Sequence, residues 1–278
     1  MKKINTLSAA VCLIAVSLLF SSCADIFNLF GSGIDAKTVV LDQTYSASAV
    51  TGVSITLVSE SLDIVSHAQP DFRVVIESNL TDEDYYPIVT IMNDTFKILD
   101  QTKNIPLGTN YDCSVKIYVP EGFTAVSTDK GWTIETVSGY IDAQTLSAPV
   151  VNLESSSGYI TVTDISTSTL NVNTVSGSVS ITGKSGAFAV YSTSGSVAIT
   201  LSQMFTSNSS IQTISGSIDV GFPENDGFVH AYETTSGSVK NSFTGLQTSG
   251  GAGSITYKTA AVSLTTKSTS GSVKVSKK

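Results

Sequence analysis

The 278-residue chain is poor in the groups from which active sites are usually built. It has two histidines, His67 and His230, and one arginine, Arg73. Zinc requires three or four closely spaced ligands, and no such cluster exists here. One arginine excludes a guanidinium cluster for phosphate. Of three cysteines, Cys12 and Cys23 lie near the start, so Cys113 has no partner for an internal disulfide. Gly-Gly-x-Gly-x-Asp calcium repeats are absent. No metal, and no cofactor of any kind, is expected. Charged residues make up 14% of the chain, with a formal net charge of −8. Most of the excess lies between Cys23 and Ala125, where 14 acidic residues face 5 basic ones. That half repels polyanions, so nucleic acid is not an expected partner. No long stretch carries a helical period.

What the chain has instead is a repeat. Ser-Gly pairs stand at Ser138-Gly139, Ser157-Gly158, Ser176-Gly177, Ser194-Gly195, Ser215-Gly216, Ser236-Gly237 and Ser270-Gly271. Successive gaps are 19, 19, 18, 21, 21 and 34 residues. The long gap contains Gly253-Ser254-Ile255, which reads as an eighth corner with Ala252 in place of serine. A period near 20 marks a solenoid, whose units bury their apolar faces only by stacking. Two and four residues after the glycine come pairs such as Ile160 and Val162, or Val179 and Ile181. Before the serine come Leu153 and Val151, or Val172 and Leu170. Spacing by two means strand. The inward parity changes across each Ser-Gly, which makes it a bend between two strands facing one core. Glycine suits such a bend through its access to positive φ, and serine through a bond from its hydroxyl to local backbone. Stacking also predicts a ladder of hydroxyls down the corner. The expected fold is all-β, a single-domain parallel β-solenoid capped by irregular N-terminal strands.

The ends speak to location. Lys2 and Lys3 precede an apolar stretch from Ala9 to Phe20, and Ser21-Ser22-Cys23 closes it. This is a signal peptide, too short to span a membrane. A cysteine at the cleavage point is similar to a bacterial lipobox, with Phe20 where Leu is usual. Cys23 is then the acylated first residue of a protein tethered to the cell envelope, on the outer membrane if the cell has one. Residues 1–22 are read as the leader, 23–37 as a tether, 38–125 as non-repetitive strands and 126–278 as the repetitive solenoid. Strands are expected at Thr38–Leu41, Val53–Leu57, Phe72–Ile76, Ile88–Ile91, Phe96–Leu99 and Cys113–Val119. Cys113 shares parity with Val115, Ile117 and Val119, so it reads as a buried small hydrophobe. His230 falls on the inward register of its coil with Tyr232, and His67 in a loop.

Short β-segments, the Val-Pro-Glu-Gly step at Val119 to Gly122 and repeated Thr-x-Ser-Gly-Ser-Val units make a recognisable series. The region from about Val53 to Lys278 resembles the bacterial "putative adhesin" β-solenoid domain of unknown function, common in envelope proteins. The resemblance implies the fold and a surface role, and it carries no catalytic residue.

Parallel β-helices include polysaccharide lyases and hydrolases, and glycoside hydrolysis needs paired carboxylates. The outward positions three after each glycine hold Asp142, Thr161, Ser180, Ala198, Asp219, Lys240 and Lys274, which form no acidic pair. The protein is therefore read as not an enzyme. Tyr140 and Tyr159 each follow a corner glycine and should stack on neighbouring coils, where exposed rings can hold a sugar face. The same stacking can serve the sheet alone. Two readings stand: an envelope lipoprotein whose solenoid binds a glycan or an envelope protein, and an accessory envelope component with no ligand.

Overall fold

A computed structural model describes residues 36–101, 105–106, 108–259 and 261–278. The expected leader (1–22), Cys23 and all but the last two residues of the expected tether (23–37) lie outside the described residues. The strands are β1 (Thr38–Tyr45), β2 (Gly52–Thr56), β3 (Ser61–His67), β4 (Phe72–Ser78), β5 (Ile88–Met92) and β6 (Thr95–Leu99). There follow β7 (Cys113–Pro120), β8 (Trp132–Thr136), β9 (Ile141–Ser155), β10 (Ile160–Thr174), β11 (Val179–Ser192) and β12 (Val197–Leu201). The last six are β13 (Ser209–Thr213), β14 (Ile218–Phe222), β15 (Gly227–Asn241), β16 (Leu246–Lys258), β17 (Ser263–Ser268) and β18 (Val273–Lys277). All six strands expected before the repeats are present. β3 is additional, and it places His67 at a strand end rather than in a loop, with Nε2 2.8 Å from the Asp71 carbonyl.

The coils stack in parallel. β9 pairs with β10 and β10 with β11 in continuous register. Within β9 the buried residues run Ile141 and Ala143, then Leu146 and Ala148, then Val151 and Leu153. Each parity change is a bend, so a full coil has three short sides around one aliphatic core. The 18-residue gap arises where β11 is one residue short opposite Val162 to Ile165, at Gly183. The first 21-residue gap arises where residues 202–208 replace a side and send Phe205 into the core.

The corners differ from the sequence expectation. None of the seven Ser-Gly glycines lies at positive φ. They are glycine because the backbones touch. A Cβ at Gly158 would fall 1.9 Å from the Gly139 carbonyl oxygen, one at Gly177 1.9 Å from that of Gly158, and one at Gly195 1.9 Å from that of Gly177. The chain of contacts continues from Gly216 to Gly195, from Gly271 to Gly216, and from Gly237 to Gly271, at 2.0 Å each. Nor does the corner serine hold the turn. That hydroxyl belongs to the buried Ser or Thr two residues before it: Ser155 Oγ donates to the Gly158 carbonyl at 2.8 Å, and Gly177 N–H donates to Thr174 Oγ1 at 3.1 Å. Ser192, Thr213, Ser268 and Thr234 repeat the arrangement. Thr136 Oγ1, at the end of this column, has no partner among the described residues. Ser138, Ser157, Ser176, Ser194, Ser215, Ser236 and Ser270 are exposed, forming the outer hydroxyl row.

The same contacts give the order of the coils, which is not the order of the chain. β17 and β18 lie between β13–β14 on one side and β15 on the other, all parallel. Ser236–Gly237 sits inside β15 at a register shift. Gly253–Ser254 is no corner: it lies mid-strand in β16, which runs antiparallel to β15 along both of its halves. The N-terminal end mirrors this. β2 lies between β6 and β8, β3 lies between β7 and β9, and the antiparallel strands β5, β4 and β1 complete the end. The corner opposite Gly139 is Glu60, whose carbonyl oxygen would lie 1.7 Å from a Cβ there. Antiparallel strands at both ends terminate the parallel stack, which is what a repeat protein needs to stay soluble.

Polar groups are buried at both ends. Glu60 is fully buried, accepting from Tyr111 Oη at 2.7 Å and from the Val58 and Ser59 amides. Burial, and then a hydrogen bond with Asp100, hold its carboxyl above the usual 4.5. At the other end His230 is fully buried, with Nε2 2.8 Å from Thr266 Oγ1 and Nδ1 3.1 Å from Asn241 Nδ2. This explains why the sixth coil has Asn241 where others have an aliphatic. Burial lowers the His230 imidazole to about 4. The two signs oppose. As pH rises, the unfolded Glu60 carboxyl releases its proton first, so its stabilising contribution is full below 4.5 and is lost through the higher folded value. As pH falls, unfolded His230 protonates first, so its contribution is full above 6.5 and is lost towards 4. Glu60→Gln should therefore hold its urea midpoint between pH 5 and 8 better than the parent protein does. Parallel midpoint curves for the two proteins would refute the assignment. Burial also pushes the Cys113 thiol up to about 12, in keeping with a packing role.

Candidate functional site

The residue after each corner points outward, so the stacking of the coils turns this position into a column. In spatial order it reads Ser61, Tyr140, Tyr159, Ser178, Ser196, Ser217, Ser272 and Ser238, from the bonds that link each coil to the next. The Tyr140 and Tyr159 rings lie 4.9 Å apart and 2° from parallel. Each therefore spends one face on the other. Tyr140 is half-buried, and its hydroxyl lies 3.5 Å from Asp63 Oδ2. Tyr159 is 46% exposed. Its second face looks along the column over Ser178, Ser196, Ser217 and Ser272, all exposed. The step from a phenol to hydroxymethyl side chains leaves a ledge, with an aromatic wall at one end and hydroxyls at about 4.8 Å intervals along its floor.

The adjoining outward column begins in the strands before the repeats. It reads Lys116, Asp63, Asp142, Thr161, Ser180, Ala198, Asp219, Lys274 and Lys240. Asp63 and Asp142 are thus direct neighbours, an acidic pair that the repeats alone did not reveal because β3 lies outside them. Burial, and then the Asp142 charge, raise the Asp63 carboxyl. Burial also raises the Tyr140 and Tyr159 phenols, with nearby carboxylates adding to it. Asp63 and Asp142 stand on neighbouring coils at one register of the same sheet face, where both can accept hydrogen bonds from a ligand. Asp219 bonds Lys274 at 2.8 Å, a pairing of residues 55 apart made possible by the inserted coil. Among the described residues, no group of three or more His, Cys, Asp or Glu could hold a metal ion. No helix among them is long and apolar enough to cross a membrane.

The pattern of the Toastrack DUF4097 family matches residues 62–276. No curated protein sequence matches the chain. Among solved structures it is similar to a "putative cell adhesion protein" from Clostridium sporogenes, at 14% identity and a TM-score of 0.41, covering 87% of this chain and all of that one. It is similar to a "putative adhesin" from Bacteroides fragilis at 12% identity and a TM-score of 0.44, covering 88% and 100%. A "putative lipid binding protein" from Parabacteroides distasonis shows 13% identity and a TM-score of 0.44, over 84% and 97%.

Proposed function

The chain belongs to the Toastrack DUF4097 family, and we propose that it is a non-enzymatic, adhesin-like module of the bacterial cell envelope that holds a saccharide on the Tyr159 ledge. The ledge itself carries the reading. A pyranose has an apolar C–H face and a polar rim. The free face of Tyr159 matches the first, and the hydroxyls of Ser178 and Ser196, with Thr161 and Ser180 in the adjoining column, match the second. An apolar contact with a few converging polar groups is the usual composition of a ligand site.

Location rests on the leader and on Cys23, which lies outside the described residues. Two acyl chains on that residue would anchor the protein stably, where one is marginal. In a bacterial host the full chain should fractionate with membranes, and Cys23→Ala should release it.

The test of binding is a panel of neutral oligosaccharides offered to the full chain. Tyr159→Ala should weaken capture by about tenfold or more, the weight of a stacked ring and its apolar area. Ser61→Ala, on the far side of Tyr140, should leave it unchanged. If the parent protein captures no saccharide, or if Tyr159→Ala captures as well as the parent, the tyrosines serve only the sheet and the accessory-component reading holds.

A further inference from the structure

A second face of the solenoid carries a cleft on the side opposite the corner glycines. Its main part has a volume of about 360 Å³, and an adjoining part of about 210 Å³ shares Thr124, Ser147 and Ser166 with it. The larger part lies in the range of ligand pockets, about 300–1,000 Å³. Its floor follows the coils. Thr124 Oγ1 lies 3.1 Å from Ser147 Oγ, Ser147 pairs with Ser166, and Ser166 pairs with Lys184. The bond from Ser202 N–H to the Gly183 carbonyl sets Gln203 beside Lys184. Five successive side chains thus line about 19 Å of floor at the strand spacing. Pro149 and Met204 supply apolar wall.

The charge of this cleft is unlike that of the chain around it. No carboxylate lines either part, although the chain has 23 acidic residues against 15 basic ones. Lys184 is exposed and forms no ion pair with any described residue. An unpaired cation in an acid-free, hydroxyl-lined trough is complementary to an anion that also brings many hydroxyls. A lone ammonium acts as a point charge that pairs with one anionic group at a time. We propose that this cleft binds an acidic oligosaccharide, a chain of uronate residues, with one carboxylate on Lys184 and the ring hydroxyls on Ser147, Ser166 and Gln203. The site is separate from the Tyr159 ledge and does not depend on it.

The experiment is calorimetric titration of the full chain with tetragalacturonate and with its methyl ester, which has the same skeleton and no charge. Tetragalacturonate should bind, and the ester should bind at least about tenfold more weakly, the weight of one charged hydrogen bond. Lys184→Ala should reproduce that loss with the acid, and Lys184→Arg should recover part of it. Tyr159→Ala should leave this binding unchanged. No binding of the acid, equal binding of acid and ester, or full binding by Lys184→Ala overturns the proposal. Loss with Tyr159→Ala would move the ligand to the tyrosine ledge and overturn it equally.

Discussion

Gly177→Ala should cost about 4 kcal/mol or more, a size reserved for a few mechanisms such as severe backbone strain. The added Cβ would sit 1.9 Å from the Gly158 carbonyl oxygen. That oxygen is backbone and part of a stacked coil, so it cannot rotate away as a side chain would. Relief requires the two coils to part, which breaks the hydrogen bonds that join them. Native domains hold only about 5–15 kcal/mol in total, so the variant should be marginal or unfolded at ambient temperature. The neighbouring positions provide the contrast. Ser176 is exposed, and Ser176→Ala should change stability by no more than about 0.5 kcal/mol. Thr174 is buried, and its Oγ1 accepts from the Gly177 amide. Thr174→Val keeps the shape and strands that amide, costing about 1–3 kcal/mol. Urea unfolding of the three variants should therefore rank them with Gly177→Ala worst by a wide margin. If instead Gly177→Ala and Ser176→Ala unfold at similar urea, the corner is an ordinary turn and the coils do not meet through their glycines.

That series also marks how far the sequence could be read. The two-residue spacing and the parity change across Ser-Gly identify the solenoid and its inward residues, because burial by stacking leaves a direct trace in hydrophobic order. The reason for the glycine was legible only in part. A position that needs positive φ and one that needs no Cβ because another backbone is touching it produce the same letter. The hydroxyl two residues before each serine was in plain view, as Ser or Thr in all seven units. The exposed serine is invariant across the same units and yet carries less structural information. The β2–β3 coil could have been found from Ile55 and Leu62, seven apart, the same step that separates Leu153 from Ile160. Glu60 at its corner hid it. Tyr140 and Tyr159 were placed on adjacent coils by spacing alone. Asp63 could not be placed beside them, since nothing in a repeat period says which non-repeating strand lies against the first unit.

Coil order was the least legible feature, and it leads to the other large effect. Removing Ser263–Lys278 should abolish folding rather than shorten the solenoid. In a simple repeat array the last coil is terminal, and its loss leaves the remainder intact. Here the last coil in sequence is internal in space. β17 pairs with β13 and β15, and β18 pairs with β14 and β15, all parallel. Its excision would strand the β15–β16 hairpin and expose the edges of β13 and β14 together. Leu264, Val273 and Val275 are each no more than 1% exposed. At about 1.5–3 kcal/mol for each such side chain, their loss alone removes about 5–9 kcal/mol, as much as many domains possess. Fully buried His230 would also lose Thr266. The gap cannot be ignored by the rest of the core, because Phe205, Phe222, Phe228 and Phe243 pack edge to face and stacked across that end. The truncated protein should be insoluble, or lack a cooperative thermal transition by circular dichroism. A soluble truncation that melts cooperatively near the parent temperature would mean that β15 closes directly onto β13 and β14. The interleaved order would then be dispensable, and the glycine contacts from Gly216 through Gly271 to Gly237 would not be what holds that end together.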